Sequence, residues 1–395
     1  MSLRHPIAIA FTGIALSIGA QSPFDQALDL LVGNNLAPKA EALRLESQAE
    51  ALRGDNQLAG PEVEYTKVWG NNAEIGDKWT LSVSQGFDWP GVYAARREAI
   101  RNSETAAQYL REATMLDTRA EGRQLLIDLI HARQTVDMQT ELANRVDALE
   151  ELYRKGAEEG TETRLDYNKT RLERIAVHRE LHSSQAQYQA IVSQLSSFAS
   201  GRDVDRIITL AGTDYPAVPA SVATPDMATL TQRDPAYQAA LANAETSRSM
   251  AKLERRSRLP GFSIGYEHET EIGGGFNGFA IAVTLPSWGR NHKSKAAELE
   301  AQAAVWDAEM ALTKRQAQMS GDAMRLKALR EVIDEYEPVI NDKSNLELLT
   351  KALNAGQITY LTYIEEVNYF ISAHRDYLDA LYDYHTILAS MMRYE

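Results

Sequence analysis

His178 and His182 stand four apart in a helical stretch, so their imidazoles share one face and could hold a divalent metal. The run from His178 to His182 is not a zincin motif, because its glutamate, Glu180, does not directly follow the first histidine. No third ligand is evident, and two helix-surface histidines are the plainer reading. Glu158 and Glu159 read as solvated acids. The glycines at 273–275 do not lie between a strand and a phosphate-binding helix, so they read as loop glycines. The chain has no cysteine, which excludes disulfides, thiolate catalysis, thiolate metal sites and a lipid-modified N-terminal cysteine. No nucleophile–base set emerges. The sequence reads as a non-enzyme with no cofactor and no resident metal.

The 395 residues are 44% hydrophobic and 24% charged, a globular balance with length for two or three ordinary domains. A net charge of −14 argues against nucleic-acid binding, which needs a basic face, and fits a passage that tolerates cations. Arg4 and His5 precede the apolar stretch Ile7–Ile18, and Gly19-Ala20 puts small residues before Gln21. This pattern reads as a secretory signal peptide over 1–20, with a buried N-terminal helix as the other reading. After Ala20 no stretch has the ~20 apolar residues of a spanning helix, so any membrane-inserted part must be β-strand.

The elements that would position chemistry come in two sets. Pro61, Trp89 and Gly122 recur as Pro260, Trp288 and Gly321, at an offset of 199. Gly160, Leu165, Tyr167, His178, Arg179 and Tyr188 recur as Gly356, Leu361, Tyr363, His374, Arg375 and Tyr384, at an offset of 196. A repeat this long points to a duplicated half-protein. The expected organisation is a first structural repeat over 21–204, a linker over 205–225 and a second repeat over 226–395. Each repeat reads as a helix, a β-hairpin (about 61–87 and 260–285), a long helix, a tip (about 156–163 and 354–360) and a return helix. The leading helices are expected at Pro23–Arg53 and Pro225–Ser257, the second opening near Asp226. The linker carries an apolar, strand-like piece at Ile207–Leu210.

Within the hairpins the period is two. Val63 and Tyr65, Trp79, Leu81 and Val83, Phe262, Ile264 and Tyr266, and Phe279, Ile281 and Val283 alternate with small or polar residues. The loops Gly70–Gly76 and Glu271–Gly278 suit hairpin tips. A soluble hairpin over a helical core would explain the alternation. Lipid explains more: strand length, carboxylates and hydroxyls on the other face, and aromatics at the ends (Trp69, Trp79, Phe87, Trp89, Phe279, Trp288). Four strands cannot close a barrel, so an inserted chain must oligomerise, and three copies would give twelve strands.

Turns at Asp88–Gly91 and Pro286–Gly289 lead into the long helices. Val92–Lys155 contains no proline and one glycine, which gives about 95 Å of helix. Leu125, Leu129, Ala132, Val136, Ala143 and Val146 follow a 4-3 alternation with a polar slot at Gln139. The return helices show Tyr188, Ile191, Leu195 and Phe198, and Leu361, Ile364, Ile371 and Leu378. Pro338 should kink or split the second long helix. At the tips, Gly160 and Gly356 suit the left-handed residue that ends a helix, and Thr161 or Thr163, and Thr359, can cap the next. Two ordinary helical hairpins would also account for these caps.

The tip segments Gly160–Asp166 and Gly356–Thr362 share the pattern G-x-x-T-x-L-[DT]. With the strand starts Pro61–Tyr65 and Leu259–Tyr266, they resemble the TolC family of outer-membrane efflux proteins, most nearly its shorter heavy-metal-resistance branch. The resemblance covers nearly all the chain after residue 20. It implies a mainly α fold with a small β part: long antiparallel helical hairpins forming an α-barrel, and four strands per chain completing a trimeric, twelve-stranded transmembrane β-barrel. It implies a homotrimer in the cell outer membrane with a periplasmic helical extension, partnered by a periplasmic adaptor and an inner-membrane pump. Gly160, Thr163, Leu165, Gly356, Thr359 and Leu361 become adaptor-docking candidates. Thr362 and Glu365, with Glu366 adjacent, take the aperture positions where some members carry two aspartates. Glu365 as a solvated helix residue is the alternative. The implied function is a passive exit duct for metal cations or small toxic compounds. A protein-secretion duct and a soluble periplasmic coiled-coil or adaptor protein are the other readings.

Overall fold

The computed structural model describes residues 22–71, 76–218, 233–271, 273–285, 290–342 and 344–394. The expected signal peptide, the turn Pro286–Gly289, the helix opening near Asp226 and parts of both hairpin loops lie outside the described residues. The chain divides into two compact units, Met1–Asn34 with Asp128–Ala217, and Asn35–Ile127 with Val218–Glu395. Helix α3 (Pro90–Glu159) contributes to both. Its 70 residues run unbroken, as the lack of proline in Val92–Lys155 leads one to expect.

In the first unit, α1 (Pro23–Asn34) buries Phe24, Ala27, Leu28 and Leu31, one helical stripe. Ser22 opens it: its Oγ accepts from Asp25 N at 3.1 Å and donates to the Asp25 carboxylate at 2.7 Å. Helix α4 is Arg164–Phe198 and α5 is Val204–Ala211. Helix α5 corrects the strand-like reading of Ile207–Leu210. Ile207 and Ala211, four apart, are both buried, and α5 packs on α1. Burial of a helical stripe overrides the β preference of the isoleucine pair. Asn34 secures the contact by donating to Asp203 Oδ2 at 3.0 Å.

The second unit holds α2 (Ala37–Asp55), β1 (Glu62–Val68), β2 (Lys78–Phe87), α6 (Pro235–Arg256), β3 (Gly261–Glu271), β4 (Gly274–Thr284), α7 (Arg290–Ile340), α8 (Ser344–Asn354) and α9 (Tyr360–Met391). Two boundaries differ from expectation. The single helix Pro23–Arg53 is two helices, because the chain stops at Asn34 and restarts at Ala37. Asn35 Oδ1 accepts from Ala37 N at 2.7 Å, and Pro38 in the first turn brings no donor of its own. Helix α6 begins at Pro235, where the buried Asp234 accepts from Ala236 N at 2.9 Å. Gly274 and Gly275, read as loop, belong to β4 and pair with Glu271 and Thr270. Strand pairing continues past the point where composition suggested a loop, and the turn is carried at Gly273, whose φ is 99°.

Pro338 behaves as expected. Helix α7 ends two residues after it, and Asp342 Oδ1 accepts from Ser344 N at 3.0 Å where α8 begins. Helix α7 packs between α6 and α9.

Candidate functional site

The four strands form one antiparallel sheet in the order β1-β2-β3-β4. Its register decides which side chains share a face. Val63 pairs with Val83, Val83 with Tyr266, and Tyr266 with Phe279; Ile264 pairs with Ile281. Residues directly opposite in an antiparallel pair point the same way, so the apolar alternation of all four strands falls on one face. The other face carries Glu62, Glu64, Glu267, Glu269 and Glu271 among serines, threonines, alanines and glycines. Lys78 joins them, 2.7 Å from Glu269. Among the described residues nothing covers the apolar face at its edges: Phe279 is 86% and Ile281 77% exposed, and neither β1 nor β4 has a buried residue. An apolar surface this continuous marks a membrane or protein contact. Aromatic rings cluster at both strand ends, with Phe87 stacked on Phe262 at 5.4 Å and Trp79 near His268 at 5.2 Å. No helix of the described residues is long and apolar enough to cross a membrane.

Each tip brings its expected residues together in one turn. Between α3 and α4, Gly160 has φ 79° and Thr161 N donates to Gly156 O at 2.9 Å. Between α8 and α9, Gly356 has φ 67°, and Gln357 N donates to Ala352 O at 2.9 Å. Both are left-handed helix ends whose hydrogen bonds satisfy otherwise orphaned carbonyls. Thr163 then caps α4, its Oγ1 accepting from Asp166 N at 3.1 Å. Thr359 caps α9 by accepting from Thr362 N at 3.2 Å. Of the two threonines open at the first tip, Thr163 is the cap; Thr161 bonds back to Gly156 O. Leu165 and Leu361, two residues past the caps, stand 64% and 55% exposed. A leucine so uncovered in each repeat is the clearest sign that the turns present a surface.

The aperture positions divide. The Thr362 hydroxyl lies 3.0 Å from that of Thr359, inside the cap. Glu365 and Glu366 are exposed and form no ion pair among the described residues. Their first-repeat counterparts differ. Lys169 reaches Asp166 at 3.5 Å, and Thr170 is fully buried with its hydroxyl on Asp166 O.

His178 is engaged by Asp147, 2.9 Å from its Nε2, with Arg174 on the same carboxylate oxygen at 2.6 Å. Burial opposes ionisation of Asp147, but these hydrogen bonds outweigh it and hold its carboxyl below the usual aspartate value. His182 is exposed, its ring 6.4 Å from that of His178. No group of three metal-ligating residues occurs among the described residues.

One surface escaped the motifs. Leu172 and Ile175 on α4 are 68% and 60% exposed and continue the line from Leu165. Their spacing of seven and three was a readable signal, a heptad-like stripe that nothing among the described residues covers.

The sequence matches no family model and no curated protein. Solved structures do match. The outer-membrane channel OprN is 13% identical, covering 94% of this chain and 89% of its own, with a TM-score of 0.77. The CmeC outer membrane channel of Campylobacter jejuni is 15% identical, covering 94% and 85%, at 0.75. The outer membrane protein VceC of Vibrio cholerae is 16% identical, covering 94% and 95%, at 0.74. The chain therefore has the fold of bacterial outer-membrane channels.

Proposed function

We propose that the protein is the outer-membrane exit duct of a tripartite efflux system. It works as a homotrimer, organised as two structural repeats per chain, and conducts passively what an inner-membrane pump delivers through a periplasmic adaptor. The observation that carries this reading is the sheet: one uncovered apolar face, one polar face and two open edges. Open edges are not viable in lipid, and four strands cannot close on themselves. Three copies joined edge to edge supply twelve strands and leave no edge. The TolC-like tip motifs support adaptor docking at Gly160, Thr163 and Leu165 and at Gly356, Thr359 and Leu361.

For the cargo we infer metal cations or small toxic compounds. The support is the heavy-metal-branch resemblance together with Glu365 and Glu366, exposed and without an ion pair among the described residues, which would favour cations at a narrow entrance. Transport energy comes from the pump, and no chemistry is assigned to this chain. Fractionation tests the duct directly. The protein should require detergent for extraction and form pores in a planar bilayer. Recovery in the periplasmic extract without detergent would instead establish the soluble coiled-coil reading.

A further inference from the structure

Where the sheet gives way to helix, the second unit holds a cleft of about 430 Å³, within the size range of small-molecule sites. Stretches far apart in sequence build it. Asp55 comes from the end of α2, Phe87 and Asp88 from the end of β2, Tyr93 and Arg96 from the first turns of α3, and Phe262 from the start of β3. Its chemistry is two-sided. Phe87 and Phe262 give a stacked aromatic wall, with the half-exposed Trp89 next in the chain. Facing charges of both signs share the lining. Arg96 is held 3.1 Å from Asp88 and lies 5.7 Å from the Tyr93 ring centroid. The Tyr93 hydroxyl accepts from Asp88 N at 3.0 Å, so its own proton is free to be donated. Asp55 makes no ion pair among the described residues.

We propose that this cleft binds the headgroup of a zwitterionic aminophospholipid from the periplasmic leaflet. The phosphate sits on the Arg96 guanidinium and the Tyr93 hydroxyl, and the ammonium on Asp55. The acyl chains leave along Phe87, Phe262 and Trp89. The inference rests on the outer-membrane reading, because only then does the strand–helix junction lie at the bilayer surface, where such rings belong. Charge selects the class. One arginine beside two aspartates, in a chain of net charge −14, disfavours a lipid of net negative charge, whereas a zwitterion matches both signs.

Native mass spectrometry of the purified detergent-solubilised trimer tests this with added phosphatidylethanolamine or phosphatidylglycerol. The expected result is about tenfold tighter retention of phosphatidylethanolamine, the scale of one charge-assisted hydrogen bond. Asp55→Asn should reduce that preference, Arg96→Gln should weaken retention of both lipids through the phosphate they share, and the pair should leave no selective retention. Equal retention of the two lipids, no retention of either, a preference unchanged in Asp55→Asn, or retention of both lipids unchanged in Arg96→Gln would overturn the proposal. Planar-bilayer conductance of the same preparation reads the duct separately. An open pore without lipid preference removes only the lipid site, and a preparation that forms no pore removes the duct.

Discussion

Gly160 and Gly356 need glycine for their backbone and not for space. A Cβ built at either meets nothing within 4 Å, yet both φ values are positive. Gly356→Ala should therefore cost about 1 kcal/mol through conformation alone. Thr359→Ala, which removes a cap, should cost a similar ~1 kcal/mol. Hydrogen exchange of the amides around the second tip should report both, and unchanged protection would deny the turn its assigned geometry. Glu365 carries a different consequence. In the proposed duct this residue, exposed and without an ion pair among the described residues, would meet passing ions, so Glu365→Ala should weaken the cation preference of the pore in a bilayer. Unchanged selectivity would remove Glu365 from the entrance. His385 is the residue with a pH signature. Burial depresses its imidazole from 6.5 to about 4. Above pH 6.5 it is neutral folded or unfolded, and its environment costs nothing. Between 6.5 and 4 the unfolded chain takes up a proton that the folded chain refuses, so stability falls as pH falls, by about 3 kcal/mol in all. Thermal unfolding should drop from pH 7.5 to 4.5, and His385→Leu should flatten that slope.

Elements were legible in the sequence where a single physical rule acts alone. The rod α3 follows from a long run without proline, and the strands from strict alternation. The break after α7 follows from Pro338, which can donate no backbone hydrogen bond. The misreadings share a cause, tertiary contact. Ile207–Leu210 looks like a strand until α1 is there to bury Ile207 and Ala211 as one helical face. The glycines of β4 look like loop until β3 is there to pair with them. The α1–α2 break turns on a local bond from the Asn35 side chain, weaker in sequence than a glycine would be. The tips were legible as turns, but which threonine caps and how far Leu165 stands out needed the structure. The stripe of Leu165, Leu172 and Ile175 yields a prediction at this scale. If the adaptor seats on it, Leu172→Glu with Ile175→Glu should sharply reduce adaptor recovered by in-cell cross-linking while the trimer persists. Loss of the trimer would reassign the stripe to contact between copies.

At the scale of the whole molecule, the element order of hairpin, long helix, turn and return helix occurs twice in one chain. In the proposed trimer, three such chains supply twelve strands and six helical turns. That assembly gives neighbouring residues of one strand opposite surroundings. On β4, Ile281 belongs to the face shared with Ile264, and Ala282 to the face shared with Ser263. Both side chains are exposed in the single chain. A soluble protein would tolerate arginine at either position, since surface substitutions cost little. A barrel in lipid would not treat them alike. Ile281→Arg would place a cation among acyl chains, at about 2–4 kcal/mol near the bilayer midplane, once in each of three copies. Ala282→Arg would place it in the lumen beside the glutamates of the polar face. The expected outcome is that Ile281→Arg fails to accumulate as a membrane-inserted trimer, while Ala282→Arg inserts and lowers the cation preference of the pore. Equal accumulation of the two variants would mean that lipid does not meet this face, and the sheet would then have to be covered by protein.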